Sequence, residues 1–257
     1  MSYVLIENTD YITAYNGLSA ATIPLKGWHS TQISNNCFNL LHRYNIPNHF
    51  VSAFRARHDG CKFWAYKLRM IPVEFVVRHR AYGSYVKRYP DARIGEAFLE
   101  PIVEFFEKDD AMNDPWLVVD RRRGAVSRYE PDQPKSTDSL IDTRPIHEVR
   151  HLMLDYWSAA ASIVRKASIV LQKAWEESNA TLVDIKFECG LTEDNRILIG
   201  DSIDADCWRL WRNNDPADPL DRQLFKNDCT PDQILEAQRF ILRRTKQWDK
   251  DSHRIYR

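Results

Sequence analysis

The sequence predicts an α+β protein of two lobes, and three observations carry that prediction. Apolar runs at 63–68 and 73–77 read as strands, while apolar residues recurring every three or four positions mark one long helix over 146–177. Between these patterns lies a polar, proline-bearing stretch at 130–145, EPDQPKSTDSLIDTRP, which reads as a hinge near the middle of the chain. With 257 residues, 44% of them hydrophobic, the chain can bury a substantial core.

In chain order, residues 30–44 form a short helix with Ile33, Cys37, Leu40, Leu41 and Tyr44 on one side. The two strands follow, so the first half is mainly β with a helix. In the long helix, Val149, Met153, Trp157, Ala160, Val164, Ala167, Leu171 and Ala174 make an apolar stripe of the kind that faces a core. Strands are expected around 182–188 and 196–201. Thr230-Pro231-Asp232-Gln233 supplies an N-cap, a proline at the first helical position and a capping-box glutamine, so a helix carrying Ile234, Ala237, Ile241 and Thr245 closes the fold. A cleft between lobes is where a ligand is expected.

Thirty-six basic residues balance 36 acidic ones, so no long-range field exists to hold a polyanion, and nucleic acid and anionic membranes are not expected partners. Any anion site must be local. The five cysteines (Cys37, Cys61, Cys189, Cys207 and Cys229) are dispersed singly, without the CxxC spacing of a zinc or redox site, and read as reduced thiols. With neither a signal-like start nor a run of about 18 apolar residues, a cytoplasmic protein is expected.

Chemistry is written most densely in Leu182-Val183-Asp184-Ile185-Lys186-Phe187-Glu188. Alternation puts Val183, Ile185 and Phe187 on one face and Asp184, Lys186 and Glu188 on the other. The polar turn at 192–195, the strand at 197–199 and Gly200-Asp201 would form a hairpin returning Asp201 to that charged face, where Glu188 and Asp201 could share a cation. Mg²⁺ suits one or two carboxylates completed by phosphate oxygens and water. The bland alternative is a solvated strand face with a salt bridge. Arg78-His79-Arg80-Ala81-Tyr82-Gly83-Ser84 places guanidinium groups, a hydroxyl and a glycine where a strand opens into a loop, as a phosphate or carboxylate site requires. Lys108-Asp109-Asp110-Ala111-Met112-Asn113-Asp114-Pro115 is a dense acidic loop. Arg121-Arg122-Arg123 reads as exposed loop.

Together these segments resemble the phosphoribosylaminoimidazole-succinocarboxamide synthase (SAICAR synthetase) family. The resemblance runs in order through residues 10–17 (DYITAYNG), 70–84 (MIPVEFVVRHRAYGS), 108–115, similar to a KxDxxxDP-type loop, 182–190, Gly200-Asp201 and 206–211 (DCWRLW). It implies a two-lobe fold, similar in outline to protein kinases, with a small β-rich lobe at 1–77, a larger α/β lobe at 78–257 and ATP in the cleft. It also implies a carbon–nitrogen ligase of purine biosynthesis. The carboxylate of a carboxyaminoimidazole ribonucleotide would be activated and attacked by the amino group of L-aspartate, giving the succinocarboxamide, ADP and phosphate.

Carried over position by position, Glu188 and Asp201 match magnesium ligands, and Arg78, Ser84, Asp206 and Arg209 match substrate-binding positions. Lys186, Asp184 and Asp114 match further active-site positions, and the adenine would lie along Met70, Pro72 and Glu74. A homo-oligomer is suggested by the resemblance alone, since no apolar surface stripe argues for it. The sequence departs from the family pattern in lacking an EGKxK-type loop before residues 10–17. Ser202 follows Gly200-Asp201 where an acidic residue is usual, and Leu224 and Lys226 replace arginines of a DKDRFR-type stretch. These departures leave two other readings: a cleft turned to another nucleotide-like substrate without ATP, and a silent nucleotide-binding relative.

Overall fold

The computed structural model describes residues 2–14, 19–54 and 60–248; residues 15–17 of the 10–17 segment lie outside the described residues. Strand β1 (Tyr3–Glu7) is followed by a small hairpin, β2 (Tyr11–Ala14) and β3 (Ser19–Thr22), then helix α1 (Lys26–Arg43), β4 (Phe50–Ala53) and β5 (Lys62–Tyr66). Next come β6 (Arg69–Arg80), the short helix α2 (Ser84–Arg88), β7 (Ala97–Glu107), β8 (Trp116–Asp120), β9 (Ala125–Tyr129) and β10 (Leu140–Pro145). Helix α3 (Trp157–Glu176), β11 (Ala180–Leu191), β12 (Ile197–Gly200), β13 (Trp208–Arg212), α4 (Gln223–Lys226) and α5 (Pro231–Gln247) complete the order.

Strands β1, β5 and β4 make a small three-stranded sheet. The large sheet has eight strands in the order β10-β9-β8-β7-β6-β11-β12, with β13 pairing β11 beside β12. A 12-residue strand makes this possible: β11 holds β6 along one edge, and along the other it takes β13 near its start and β12 near its end. The 77/78 division expected from sequence falls inside β6. The small sheet is tied to the large one at the outer edge of β12, where His49 N–H donates to Ile199 O at 2.8 Å and Ile199 N–H to Pro47 O at 3.1 Å.

Three expectations are corrected. The stretch at 130–145 is no hinge between lobes, because β10 extends the large sheet and Arg128 binds Asp142 through both Nε and Nη2, at 2.8 and 2.7 Å. Nor is 146–177 one helix. Three 3₁₀ turns (Ile146–Glu148, Arg150–Leu152, Leu154–Tyr156) precede α3. Met153 sits in the left-handed region with φ 56°, and the Trp157 indole N–H takes the Leu152 carbonyl at 2.7 Å, so the helical ladder cannot run through. Three-residue apolar spacings fit either helix type, which is why the stripe continued unbroken in sequence. The first helix starts at Lys26 rather than 30, since Asp10 accepts from the backbone N–H groups of Leu25 and Gly27 at 3.2 and 2.9 Å. The closing helix carries its capping box as expected, Thr230 with Gln233.

The core lies between the large sheet and α3. Val73, Phe75 and Val77 of β6 and Ile185 and Phe187 of β11 are buried with Ala160, Val164, Ala167 and Leu171 of the helix stripe. Alternation then turns Glu74, Val76 and Arg78 of β6, with Asp184, Lys186 and Glu188 of β11, to the opposite face, where the cleft lies.

Candidate active site

The carboxylates on the polar face of β11 are buried rather than solvated, while Lys186 between them keeps 38% of its side chain exposed. Asp184 and Glu188 expose only 5% and 7% of their surface, and carboxylates at that depth require partners. Each has one or more. In register, Asp184 stands opposite Arg78, Lys186 opposite Val76 and Glu188 opposite Glu74. Arg78 Nη1 donates to Asp184 Oδ2 at 3.0 Å, and Arg209 Nη1, from β13, donates to the same oxygen at 2.5 Å. Lys186 Nζ reaches Glu74 Oε1 at 2.6 Å, and Lys108 Nζ spans both oxygens of Glu188 at 2.6 and 2.7 Å.

Arg78 is the centre of this lattice. Its Nη2 donates to Ser84 Oγ at 2.9 Å and its Nε to Glu104. Ser84 arrives there because Gly83, with φ 59°, bends the chain from β6 into α2. The same glycine leaves room for Arg209, whose guanidinium lies above the Tyr82 ring with its carbon 5.7 Å from the centroid. The Asp184 charge, outweighing desolvation, holds the Arg209 guanidinium above its ordinary range. Burial pushes the Glu74 carboxyl up, with Lys186 opposing. Lys186 moves the other way: burial would lower it, yet Glu74 holds its ammonium above the usual lysine value.

These groups line a cleft of about 380 Å³. It brings together Glu74, Arg78, Ser84, Asp114, Asp184, Lys186, Asp206 and Arg209. Asp114 hangs from the loop after β7, where its Oδ1 accepts from the Asp109 N–H at 3.0 Å and burial raises its carboxyl. Asp206 is reached by Lys26 of α1 at 2.6 Å. Met70, Pro72, Glu188 and Asp201 are not on the walls of this cavity. Met70 packs beside Gly190 and Gly200, and the Pro72 carbonyl accepts from the Lys108 N–H at 3.1 Å.

The β11–β12 hairpin forms as the alternation predicts, setting Glu188 opposite Gly200, with Asp201 next in the left-handed region at φ 57°. More than a third of Asp201 reaches solvent, yet desolvation of its carboxyl and the nearby Glu188 charge hold it up near 6. Two mutually repelling carboxylates of hard oxygen are a donor set that fits Mg²⁺. Among the described residues no cluster of three or more His, Cys, Asp or Glu is arranged as a metal site, so an ion there would take its remaining ligands from substrate and water.

Sequence reading missed several groups. Lys108, Glu104, Arg88 and Lys26 partner the site's charges, and Asp221, Arg222, Gln223 and Lys226 line the cleft. Lys108 and the 221–226 stretch lay within noted motifs, whereas Glu104, Arg88 and Lys26 carry no local signal, because each earns its position from an element distant in sequence.

A cleft lined by paired charges, on an antiparallel sheet backed by one helix, defines an α+β protein with a polar ligand site. The family model for SAICAR synthetase matches residues 1–238. Phosphoribosylaminoimidazole-succinocarboxamide synthase of Chloroflexus aurantiacus (strain ATCC 29366 / DSM 635 / J-10-fl) is 34% identical over 235 residues, covering 91% of this chain and 82% of that protein. The enzyme of the same name from Roseiflexus sp. (strain RS-1) is 31% identical over 251 residues, covering 95% and 89%. Among solved structures, a SAICAR synthetase (Type-2) in complex with ADP superposes with a TM-score of 0.75 at 27% identity, covering 95% of this chain and 90% of that one. SAICAR synthetase (Type-1) from Pyrococcus horikoshii OT3 gives 0.71 at 28% identity, covering 95% and 93%. The chain belongs to the SAICAR synthetase family, carbon–nitrogen ligases of purine biosynthesis.

Proposed function

We propose that this chain joins the carboxylate of a carboxyaminoimidazole ribonucleotide to the amino group of L-aspartate at the expense of ATP. Supporting it is one observation above all: the fork of Arg78, the hydroxyl of Ser84 and the guanidinium of Arg209 converge on one end of the cleft while Lys186 stands further along the same wall. Arg78, Ser84 and Arg209 receive the ribonucleotide phosphate, for which planar guanidinium groups are suited. Asp184, shared by both arginines, fixes their orientation. Lys186 neutralises charge on the phosphoryl group as it passes from ATP to the ribonucleotide carboxylate.

The aspartate amine then attacks the activated carbonyl carbon, the C–N bond forms, and phosphate departs. Asp206 and Asp114 orient the amine, and Asp114, raised by burial, is suited to accept its proton. The adenine lies along Met70, Pro72 and Glu74, and a family structure solved with ADP supports ATP as co-substrate. Glu188 and Asp201 would hold Mg²⁺, which supplies charge neutralisation at the ATP phosphates. Among the described residues no helix is long and apolar enough to cross a membrane, and the five cysteines are free, which supports a cytoplasmic setting.

The test is mass-spectrometric detection of product after mixing the chain with magnesium-ATP, L-aspartate and the ribonucleotide. Succinocarboxamide and ADP are expected in equal amounts, and their absence from a folded sample overturns the assignment. Lys186→Met is expected to cut kcat by a factor on the order of 10² to 10³ while the protein stays folded. Wild-type turnover in that variant would remove Lys186 from the phosphoryl-transfer role.

A further inference from the structure

Arg78 exposes 2% of its surface, and a guanidinium so deep is tolerated only where its N–H groups meet acceptors. Asp184 and Ser84 take its two terminal nitrogens on the cleft side. Nη1 also reaches the Tyr82 carbonyl at 3.5 Å. The remaining partner, Glu104 on β7, is different. It exposes 6% of its surface, is absent from the cleft wall, and binds the Arg78 Nε from behind.

The other oxygen of Glu104 accepts from Arg88 Nη2 at 2.5 Å. Arg88 is the last residue of α2, the helix whose first residue is Ser84. Its guanidinium lies over the rings of Phe106 and Trp116, 5.4 and 4.8 Å from their centroids, and donates to the Pro131 carbonyl. Phe106 and Pro131 themselves line the cleft. One buried carboxylate therefore fastens β6 through Arg78, α2 through Arg88 and, through Arg88 again, the loop after β9.

We propose that Glu104 is a positioning residue for the ribonucleotide phosphate. It never touches substrate; it sets the Arg78 fork and the Ser84 hydroxyl in the geometry that receives the phosphate. This inference rests on the assignment of Arg78, Ser84 and Arg209 to that phosphate made above. Three guanidinium groups (Arg78, Arg88, Arg209) and two carboxylates (Glu104, Asp184) are linked in the group, leaving it one positive charge. Electrostatics and positioning thus make opposite forecasts for Glu104→Gln. Removing a negative charge should strengthen attraction for a phosphate if charge alone matters, and should weaken binding if the fork must be held.

The experiment measures kcat, the KM of each of the three substrates and the thermal midpoint for the full chain and its Glu104→Gln and Glu104→Asp variants. Positioning predicts that the ribonucleotide KM rises on the order of tenfold in Glu104→Gln, with ATP and aspartate KM values within about twofold of wild type. Glu104→Asp, which restores the charge but is one methylene short, is expected to recover part of the loss. A folded Glu104→Gln with unchanged or lowered ribonucleotide KM overturns the proposal. So does a loss in both variants that lowers only kcat, in step with the folded fraction. If Glu104→Gln does not fold, Glu104→Asp decides by the same KM comparison. Wild-type turnover separates this from the assignment beneath it. A wild type that forms no product but binds the ribonucleotide in calorimetry refutes the reaction and leaves the variants' Kd values to judge Glu104, while a wild type that does neither removes both.

Discussion

At Gly83 the backbone takes φ 59° and ψ −130°, a combination that side-chain-bearing residues avoid, and a Cβ built there would lie 2.7 Å from Arg209 Cζ. Gly83→Ala is therefore expected to cost about 1–3 kcal/mol of stability and to displace the guanidinium. Its ribonucleotide KM should rise about tenfold with aspartate KM little changed; equal kinetics in variant and wild type would detach Arg209 from the phosphate. Asp221 offers a second test. Although it accepts from the Leu210 and Gln223 N–H groups, its burial pushes the carboxyl up to about 6. A carboxyl raised in the fold is disfavoured when ionised, so its contribution to stability is best below the unfolded value near 3.8 and is lost as pH rises through 6. Denaturant titrations of wild type and Asp221→Asn should diverge accordingly. The difference moves in the variant's favour by about 2 kcal/mol between pH 4 and pH 7; a difference independent of pH would contradict the raised value.

At the scale of elements, legibility followed the distance between a signal and what it acts on. The α5 cap was readable because Thr230 and Gln233 are three residues apart, and Thr230→Ala is expected to cost about 1 kcal/mol in chemical denaturation without altering kinetics at permissive temperature. A cost near zero would mean water replaces the hydroxyl. The α1 start was not readable, because its capping carboxylate, Asp10, lies 15 residues before Leu25. The β11–β12 hairpin was legible down to the placing of Asp201 next to the Glu188 partner, since period-2 alternation and a polar turn fix register locally. The break at Met153 was not, since the Leu152 carbonyl's partner is a Trp157 side chain and the apolar spacing stays the same on both sides of it.

In the whole molecule, the charges balance overall, and the cleft itself interleaves a cluster of guanidinium and ammonium groups with carboxylates, so any attraction for an anion is local rather than a net field. What keeps that cluster in place is the core behind it. Trp175 of α3 is fully buried, with ring centroids 5.4 Å from Trp208, a cleft-lining residue of β13, and 4.8 Å from Trp248 just after α5. Trp175→Ala should cost about 3–5 kcal/mol, a large part of a typical domain's stability. Urea unfolding followed by far-UV circular dichroism and by ribonucleotide binding should then shift together. Binding lost well before the secondary structure would show that the cleft does not depend on this packing.

By itself the sequence determined the α+β class, the charged face of β11, the Arg78–Ser84 turn and the family, because periodic burial and contiguous motifs are properties of neighbouring residues. Only the tertiary structure decided that the carboxylates of the charged face are buried and paired with cations. It decided too that the end of the 130–145 stretch, as β10, extends the large sheet, that Glu104, Arg88 and Lys26 stand behind groups that face the cleft, and that Lys108 holds Glu188 outside its walls. The reason is physical: a buried charge must find an opposite charge wherever the fold brings one near, and the partners of Arg78, Glu188 and Asp206 come from elements 26, 80 and 180 residues away.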